Sequence, residues 1–475
     1  MSRKNSTKII STIGPASNHK KILFSMVQNG VNAFRLNFSH GDFSQHLKSI
    51  KIIRDIEENL QLSLPIIGDL QGPKFRIGNL KNDFNLKKGD KVNFYLDQDY
   101  LENKKQKSNI YNVPISNKLI FSNLIPGKKF LIDDGKLVFN ILKIFDKYFE
   151  TEIMNSGILK SKKGINFPNL DFNISPLTDK DKKDLDFIIK QKLDYIALSF
   201  VQRTSDVLEL RSLIGSNIKI ISKIEKPQAL KDIDNIIRAS DAVMIARGDL
   251  GVELSPQEVP TIQKQLIQNC RKVGKPVIVA TQMLESMINL PSPTRAEASD
   301  VAGAVFDGAD AVMLSAETSI GNYPEESVSY MNSIINSSED HIKKFPNDGP
   351  SKLDIEESNY HAVAQATVDL SEKINAKLIL GFTKTGNTAI RIARERPKMT
   401  IIAATPDSSV RRRLNLIWGI KALFIDEGEF EECLLKSIKK IKELDLASSG
   451  DNIIVVSGMP FGIEGSTNSI RIEKL

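Results

Sequence analysis

The chain has 475 residues, of which 41% are apolar and 26% are charged; these values exclude the disordered and transmembrane classes and, at this length, predict about two to four domains. Its net charge of +7 is modest and its basic residues are dispersed among acidic ones, so we expect small anionic substrates and no nucleic-acid partner. No run approaches the roughly 20 apolar residues of a membrane span, and the first ten residues carry no long apolar stretch, so we expect a cytoplasmic protein with no membrane partner.

Eight short segments rich in β-branched and apolar residues are separated, for the most part, by amphipathic helical patterns. The segments are TKIISTIG, AFRLNFSH, PIIGDLQ, DYIALSFV, IKIISKIE, AVMIARGD, PVIVATQM and AVMLSAE. The intervening stretches, such as SDVLELRSLIG, begin with capping or acidic residues and end at glycine, as helices do. Eight repeats of strand and helix predict a closed (β/α)₈ TIM barrel in an α/β protein.

Two segments depart from this repeat. After the third predicted strand, residues 73–168 contain the alternating pattern LIDDGKLVFNILKIF with a hairpin turn at Asp134-Gly135, which predicts a small β-barrel-like lid domain inserted in a barrel loop. After the eighth, the segments KLILGFT, TIIAATP, KALFID and NIIVVSG predict a C-terminal doubly wound α/β domain with a ligand crevice of its own.

Polar side chains cluster where the predicted barrel strands end, which is the face that carries barrel active sites. Residues two apart on a strand share a face, so we expect side chains to group as Arg35 with Asn37 and Ser39, Lys223 with Glu225, Arg247 with Asp249, and Ser315 with Glu317, while Asp69 and Thr281 end two further strands. Charged groups inside apolar strands are costly unless they are paired or bind a metal.

A hard cation would account for these buried charges. Glu225 and Asp249 could give Mg²⁺ two carboxylate oxygens and leave positions for substrate and water. Lys223 and Arg35 would then neutralise a phosphoryl group during its transfer. The alternative for Lys223 and Glu225 alone is an internal salt bridge of the barrel.

Common catalytic signatures are missing from the sequence. There is no G-x-x-x-x-G-K-[ST] loop and no G-x-G-x-x-G between a strand and a helix, so any nucleotide binds by another route. There is also no H-E-x-x-H or G-x-S-x-G motif. Cys270 and Cys433 have no Cys or His at zinc-ligand spacing and are predicted to be packing residues.

Ordered motifs along essentially the whole chain resemble those of the pyruvate kinase family. They are TKIISTIGPAS, RLNFSHG, GDLQGPKFRIG, KGINFP, LSFV, ISKIEKP, IARGDLGVE, ATQMLESM, PTRAEASDVAGAVFDGADAVMLSAET and GMPFGIEGSTN. The resemblance implies a barrel domain (residues 1–72 and 169–345), a lid domain (73–168) and an effector domain (346–475). It also implies phosphoryl transfer from phosphoenolpyruvate to ADP, giving pyruvate and ATP, with Mg²⁺ or alternatively Mn²⁺ as cofactor, in a homotetramer.

The resemblance also implies roles for individual residues. Glu225 and Asp249 resemble the ligands of the catalytic Mg²⁺, and Lys223 resembles the cation that bridges donor and acceptor. The remaining roles are phosphate contacts at Arg35 and Arg76, substrate protonation near Thr281, binding of the substrate carboxylate by the backbone at Gly248 and Asp249, and nucleotide contacts from Asn37, His40 and Lys163 or its neighbour Lys162.

One departure from many relatives concerns a monovalent cation. Those relatives bind potassium through Asn, Ser, Asp and a carbonyl, and carry Glu and Thr where this chain has Lys74 and Leu70. The set Asn37, Ser39, Asp69 and Lys74 resembles that of potassium-independent enzymes, in which the lysine ammonium replaces the ion. We therefore expect no potassium requirement.

The C-terminal domain carries a second phosphate-like signal, TKTGNT at residues 383–388. The hydroxyls of Thr383, Thr385 and Thr388 and the amides around Gly386 could form an anion nest before a helix, which resembles the effector loop of the family and suggests a phosphorylated sugar. The alternative is an ordinary strand-to-helix turn. The basic cluster Arg411–Arg413 is interpreted as a solvated helix face.

Three other functions fit part of the sequence. An enzyme that forms carbon–carbon or carbon–phosphorus bonds on phosphoenolpyruvate or pyruvate would keep the barrel and the metal but would not need the lid with Lys163 or the C-terminal domain. A catalytically silent metabolite sensor would bind sugar phosphates through the C-terminal domain, and intact Lys223, Glu225, Asp249 and Thr281 argue against it. A nucleic-acid-binding protein is supported by net charge alone and would show salt-sensitive binding.

Overall fold

The first large unit is a closed barrel of eight parallel strands. A computed structural model describes residues 5–102, 110–168, 175–351, 358–465 and 467–475. The barrel strands are β1 (Lys8–Ile13), β2 (Ala33–Asn37), β3 (Ile66–Asp69), β12 (Tyr195–Leu198), β13 (Lys219–Ile224), β14 (Ala242–Ala246), β15 (Val277–Ala280) and β16 (Ala311–Leu314), with β4–β11 lying between β3 and β12 in sequence. They close in the order β1-β16-β15-β14-β13-β12-β3-β2, which confirms the predicted barrel.

Nearly continuous apolar sequence makes these strands suited to burial on both faces. Ile9 points toward the surrounding helices, whereas its neighbour Ile10 joins the barrel interior together with Ile221 and Met244. All four residues are 0% exposed. The interior is therefore a packed core, and only the strand ends are free to form a site.

The helices lie between and after the strands. Their bounds are α1 (Lys20–Gln28), α2 (Phe43–Leu60), α3 (Asp97–Glu102), α4 (Asp179–Lys190), α5 (Thr204–Ile214), α6 (Pro227–Lys231), α7 (Ile233–Ala239), α8 (Arg247–Glu253), α9 (Val259–Lys272), α10 (Arg295–Asp307), α11 (Ala316–Ser319), α12 (Pro324–Lys344), α13 (Asn359–Lys373), α14 (Asn387–Arg394), α15 (Ser408–Leu414) and α16 (Phe430–Glu443). Helix α10 shows how the sequence sets such bounds, with a capping box of Thr294 and Glu297 at its start and Gly308 in the left-handed conformation at its end.

The segment between β3 and β12 is a β structure. Its strands are β4 (Phe84–Leu86), β5 (Lys91–Leu96), β6 (Ile110–Ile115), β7 (Lys129–Ile132), β8 (Leu137–Ile144), β9 (Tyr148–Ile153), β10 (Gly157–Leu159) and β11 (Ile165–Asn166). Six of them form a sheet in the order β11-β7-β8-β9-β5-β6, and β10 pairs with β4. Bridges from Arg76 to Gly164 and from Ile77 to Ile115 connect opposite edges of the six-stranded sheet, which gives it a barrel-like form.

The predicted hairpin turn joins β7 to β8. Asp133, Asp134 and Gly135 all have positive φ, and the N–H of Lys136 donates to the carbonyl of Asp133. An Asp-Gly pair suits such a turn because both residues tolerate the left-handed region. A core of aromatic rings, including Phe94 stacked on Phe149, fills this β segment.

The C-terminal sheet contains β17 (Leu378–Phe382), β18 (Thr400–Thr405), β19 (Ile420–Phe424), β20 (Asn452–Gly458) and β21 (Thr467–Lys474). Its order is β19-β18-β17-β20-β21, in which the first four strands are parallel, as predicted, and β21 is an antiparallel edge strand that we did not predict. The three domain boundaries given above remain predictions.

The arginine cluster of α15 joins the C-terminal sheet region to the barrel, so its interpretation as a solvated face was wrong. Arg411 donates to Ser63 Oγ at 2.7 Å, Arg412 Nε to Asp194 Oδ1 at 2.8 Å, and Arg413 to the carbonyl of Asn217 at 2.9 Å. In the described parts of the chain, no helix is both long and apolar enough to cross a membrane.

Candidate active site

Lys223 lies at the centre of a buried cluster where the barrel strands end. It is the second-last residue of β13, and its Nζ lies 2.8 Å from Ser199 Oγ, 2.9 Å from Glu225 Oε1 and 3.2 Å from Asp69 Oδ1. The ammonium group thus uses its three donors on groups from three strand ends. The expected pairing of Lys223 with Glu225 is present in this geometry.

Asp69 links Lys223 to Arg35 of the neighbouring strand. Arg35 Nε donates to Asp69 Oδ2 at 2.6 Å, and Arg35 Nη1 donates to Thr12 Oγ1 at 3.1 Å. The side chain of Asp69 is 1% exposed and that of Arg35 is 12% exposed. The carboxylate therefore holds both cations at fixed positions beneath the barrel mouth.

The charges in this cluster support one another. Burial raises the pKa of Asp69, but Arg35 and Lys223 outweigh it, so the pKa lies below its usual value. Burial lowers the pKa of Lys223, yet Asp69 and Glu225 raise it above that of a free lysine, and the side chain carries its charge at neutral pH.

Glu225 directly follows β13, and both of its carboxylate oxygens have a partner. Oε1 faces Lys223, and Oε2 accepts the N–H of Phe200 at 2.7 Å. Burial raises the pKa of Glu225, Lys223 lowers it, and the neighbouring charge of Asp249 raises it again. Asp249 is 27% exposed, and its charge acts on the buried Glu225, so the two carboxylates together favour a cation. Each oxygen of Glu225 keeps a lone pair to offer.

Within the described ranges, no group of three or more His, Cys, Asp or Glu side chains lies close enough to form a metal site. Magnesium usually takes only one or two carboxylates from a protein and completes its shell with water and substrate. The oxygen donors of Glu225 and Asp249 therefore fit that ion.

Two of the expected pairs do not form as strand neighbours. Strand β14 ends at Ala246, so Arg247 and Asp249 lie in α8, where residues two apart point in different directions. Arg247 Nη1 pairs with Asp300 at 2.6 Å. Glu317 lies in α11 and accepts the N–H of Ser315 at 2.7 Å, which makes it a structural carboxylate.

Thr281 directly follows β15 and has a φ of 70°, an unusual value for a β-branched residue. Its Oγ1 accepts the N–H of Gly248 at 2.7 Å and donates to the carbonyl of Ala280 at 2.6 Å. A Cβ on residue 248 would lie 3.3 Å from this oxygen, so Gly248 permits a close approach. Such backbone strain is found often at functional sites.

Lys74 comes from the segment that leads into the lid and reaches the barrel mouth. Its Nζ lies 3.3 Å from Asp249 Oδ1, and its aliphatic chain passes close to Gly164, where a Cβ would lie 3.0 Å from Lys74 Cε. Asn37 is the last residue of β2, and its Oδ1 accepts the N–H of Ser39 at 3.0 Å in the turn that follows. The ammonium group thus contacts a candidate metal ligand rather than the side chains of Asn37, Ser39 or Asp69.

The candidate nucleotide contacts lie in two places. His40 is exposed in the turn after β2. Arg76 and Lys163 come together at the base of the lid, where Arg76 Nη1 donates to the carbonyl of Lys162 at 3.1 Å and Lys163 Nζ pairs with Asp133 at 2.8 Å. The side chain of Lys162 is exposed.

Glu253 is a residue that we did not predict. Its buried carboxylate accepts Asn166 Nδ2 of the lid at 3.0 Å and pairs with Lys226, which follows β13. It ends α8, the helix that contains Gly248 and Asp249. The glutamate therefore ties this helix to the lid and to the strand end that presents Glu225. The motif IARGDLGVE contains Glu253, but the sequence does not reveal its role because its partners, Asn166 and Lys226, are distant in sequence.

The loop at residues 383–388 lines a cavity of about 350 Å³. Gly386 has a φ of 97° and donates its N–H to Thr383 Oγ1 at 2.8 Å, and Thr388 Oγ1 lies 2.7 Å from Thr467 Oγ1. Thr385 also lines the cavity, together with the unpredicted cations Lys384 and Arg391. Lys384 lies 3.6 Å from Glu427, and Arg391 lies over the ring of Tyr360.

Comparisons with known proteins cover both large units. Residues 4–328 match the family model "Pyruvate kinase, barrel domain", and residues 361–473 match "Pyruvate kinase, alpha/beta domain". A pyruvate kinase of Agrobacterium vitis is 44% identical over 99% of this chain and 96% of its own length, and one of Clostridium perfringens is 39% identical over 99% of both. A crystal structure of a pyruvate kinase from Cryptosporidium parvum superposes with a TM-score of 0.89 at 35% identity, covering 99% of this chain and 96% of the other.

Proposed function

The chain belongs to the pyruvate kinase family and is a kinase that transfers a phosphoryl group from phosphoenolpyruvate to ADP, and we propose that the transfer takes place around Lys223. The observation that carries this assignment is the position of its ammonium group, between 2.8 and 3.2 Å from Ser199, Glu225 and Asp69. A fixed cation in a water-poor site stabilises negative charge on a transferring group far better than a mobile one. Arg35, anchored by Asp69, adds a second cation for the phosphoryl oxygens.

The enolate product must take up a proton at carbon, and we assign the part of the site beside that carbon to Thr281. The N–H of Gly248 donates to the hydroxyl oxygen of Thr281. This bond stabilises the oxygen when the hydroxyl proton is shared with the enolate carbon. The backbone at Gly248 and Asp249 would receive the substrate carboxylate. The Gly248 N–H is already donated to Thr281, so the Asp249 N–H is the better candidate donor.

ADP would lie between the barrel mouth and the lid. Arg76 and Lys163 would contact its phosphates, and Asn37 and His40 would contact it from the barrel side. Lys163 is 35% exposed and its present partner Asp133 is on the lid, so it could exchange that partner for a phosphate. Lys162, whose side chain is exposed, is the alternative contact.

Magnesium, with Mn²⁺ as an alternative, would be held by Glu225 and Asp249 and would supply positive charge to the substrate's carboxylate and phosphoryl oxygens. Replacing Glu225 with Gln keeps the shape but removes one charge, so we expect the half-saturating MgCl₂ concentration to rise by about tenfold or more. Activity against free MgCl₂ and direct Mn²⁺ binding by electron paramagnetic resonance measure the effect.

The matched control is Glu285→Gln, at an exposed glutamate that begins a short 3₁₀ helix after β15. It should leave both measurements unchanged. Equal Mn²⁺ binding by the natural chain and Glu225→Gln would contradict the assignment.

We also propose that the enzyme needs no potassium, because Lys74 brings a permanent cation to within 3.3 Å of Asp249. At constant ionic strength, exchanging tetramethylammonium for potassium should change turnover of the natural chain by less than about twofold. In Lys74→Glu, which removes this cation and adds a carboxylate, potassium should restore activity by roughly tenfold or more. Strong potassium activation of the natural chain would refute this proposal.

The 350 Å³ cavity at residues 383–388 is the proposed site for a phosphorylated sugar effector. Its threonine hydroxyls and the cations Lys384 and Arg391 support that assignment, and Asp426, Glu427 and Glu464, which also line the cavity, could accept sugar hydroxyls. A homotetramer and a cytoplasmic location remain predictions, and light scattering of the purified protein tests the first.

A further inference from the structure

Two consecutive residues at the barrel mouth have a backbone conformation that residues other than glycine rarely adopt. Thr281 has a φ of 70° and Gln282 has a φ of 54°. For a β-branched residue such as threonine, a positive φ is an outlier that costs free energy. Such a conformation persists only where the surrounding structure fixes it, so the contacts of this turn must compensate for the strain.

Arg247 supplies those contacts from the first turn of α8. Its Nη2 donates to the carbonyl oxygen of Thr281 at 2.8 Å and to that of Gln282 at 3.2 Å. The side chain of Arg247 is 8% exposed, and its Nη1 pairs with Asp300 of α10 at 2.6 Å. One guanidinium therefore binds both carbonyls of the turn, while a carboxylate on another helix holds the guanidinium in place.

The ion pair alone does not explain why an arginine is buried here. The side chain of Asp300 is 39% exposed, so water can solvate it without Arg247. An ion pair of this kind is a weak reason to bury a guanidinium, because desolvation offsets much of its attraction. Only arginine has a planar fork of donors that reaches the carboxylate and two carbonyls at once, which indicates that the carbonyl contacts are the function of this residue.

Helix α8 also fixes the side chain of Thr281. The N–H of Gly248, the residue after Arg247, donates to Thr281 Oγ1 at 2.7 Å, and the same hydroxyl donates to the carbonyl of Ala280 at 2.6 Å. Arg247 thus holds the backbone of Thr281, and Gly248 holds its hydroxyl. The direction in which the hydroxyl points depends on both contacts.

We propose that Arg247 is a positioning residue for the protonation of the enolate, which keeps Thr281 in its left-handed conformation and its hydroxyl beside the enolate carbon. This inference rests on the proposed role of Thr281. In that step the electron pair of the enolate forms a C–H bond with the hydroxyl proton, and the threonine oxygen recovers a proton from water. Without Arg247 the turn can relax and carry the hydroxyl away, whereas Lys223 and Arg35 stay in place because Asp69 holds them.

The exchange of the methyl protons of pyruvate with D₂O isolates this step, because the exchange runs the protonation in reverse. It is followed by proton NMR in the presence of MgCl₂ and ATP. We expect the exchange rate to fall by roughly a hundredfold in Arg247→Met, since a displacement of about 1 Å is enough for such a loss. Arg247→Lys keeps a charge for Asp300 but has no planar fork for the two carbonyls, so it should fold and also lose exchange.

The matched control is Arg211→Met, at the opposite end of the barrel. Arg211 pairs with Asp241 and donates to the carbonyl of Ile218 at 3.2 Å, just before β13 begins. This substitution removes the same two kinds of contact as Arg247→Met. It should leave the exchange rate unchanged.

A double-mutant cycle with Thr281→Ala separates positioning from a general loss of structure. Thr281→Ala already lacks the hydroxyl, so adding Arg247→Met should lower its residual exchange by less than about twofold. The proposal is overturned if Arg247→Met causes the same loss with and without Thr281, or if both Arg247 variants exchange as fast as the natural chain. If Thr281→Ala itself exchanges as fast as the natural chain, the proposed role of Thr281 is wrong, and the inference about Arg247 is overturned with it.

Discussion

Asp69 is the residue on which the charges of the site depend. It is 1% exposed and holds Arg35 on one oxygen and Lys223 on the other. Without it, two cations would face each other in a buried place with only Glu225 to balance them. The carboxylate thus lets Arg35 and Lys223, the proposed phosphate contacts, lie close together before any substrate binds.

This role predicts how Asp69→Asn depends on pH. The folded pKa of Asp69 is lower than its value in the unfolded chain, near 3.9, so the ionised form stabilises the fold. That contribution is complete above the unfolded pKa and is lost as the pH falls through the folded pKa. We expect Asp69→Asn to cost about 3 kcal/mol between pH 6 and 8 and progressively less as the pH falls below about 4.

The measurement is the difference in urea midpoint between the natural chain and Asp69→Asn across this pH range. Asp55→Asn is the control, because Asp55 pairs with Lys20 on the surface and should matter little at any pH. A difference that stayed constant down to pH 3 would show that the charge of Asp69 does not stabilise the fold.

At the scale of single residues, the sequence predicted which residues lie at the site better than it predicted the directions in which their side chains point. Lys223 and Glu225 could be paired because Lys223 lies within a strand and Glu225 directly follows it. Arg247 was placed wrongly because β14 ends one residue before it, and helix geometry then turns its side chain toward Asp300. No residue pattern in AVMIARGD marks that boundary.

Among the secondary-structure elements, the short helix α8 is the one that positions the site. Gly248 and Asp249 lie in its first turn, and Glu253 at its end is held by Asn166 of the lid and by Lys226. A movement of the lid would therefore change the position of Gly248 and Asp249, the proposed contacts of the substrate and the metal ion.

Helix α15 is the element that docks the C-terminal region on the barrel. Arg412 Nε donates to Asp194 Oδ1 at 2.8 Å, and Asp194 is 1% exposed. Replacing Arg412 with Met leaves Asp194 bonded to Arg54 and to the N–H of Ile66 but removes one charged hydrogen bond between the two units. We expect the free energy that holds the C-terminal region on the barrel to fall by roughly 1.5–3 kcal/mol.

Calorimetry should show this loss as a lower melting temperature for the C-terminal region in Arg412→Met. Lys439→Met, which removes a surface pair with Glu443, is the matched control and should melt like the natural chain. Identical melting of all three proteins would contradict a docking role for α15.

Element prediction succeeded where burial imposes a pattern and failed where it does not. The eight barrel strands were evident because burial on both faces requires continuous apolar sequence. Strand β21 was missed because it is a largely exposed edge strand without a clear apolar face. The arginines of α15 look like a solvated face because Ser63, Asp194 and Asn217 are distant in sequence.

At the scale of the whole molecule, the barrel connects the lid to the C-terminal region. The lid approaches the barrel mouth through Lys74 and Asn166, whereas the C-terminal region meets the opposite end, where Tyr195 OH donates to the carbonyl of Arg413 at 3.0 Å. Motif order made this organisation predictable. A cavity of about 580 Å³ between the two units, lined by Arg271 and Trp418 among others, was not predictable, because its walls come from seven separate parts of the chain.

The central claim is that Lys223 makes this molecule a phosphoryl-transferring enzyme. Its most direct test is pyruvate formation from phosphoenolpyruvate, ADP and MgCl₂ by the natural chain, by Lys223→Met, and by Lys219→Met, which alters the opposite end of the same strand. We predict that the natural chain and Lys219→Met form pyruvate, whereas turnover by Lys223→Met falls by about a hundredfold or more. Undiminished turnover in Lys223→Met would contradict the claim. A natural chain that binds phosphoenolpyruvate and Mg²⁺ but forms no pyruvate would instead be a metabolite sensor.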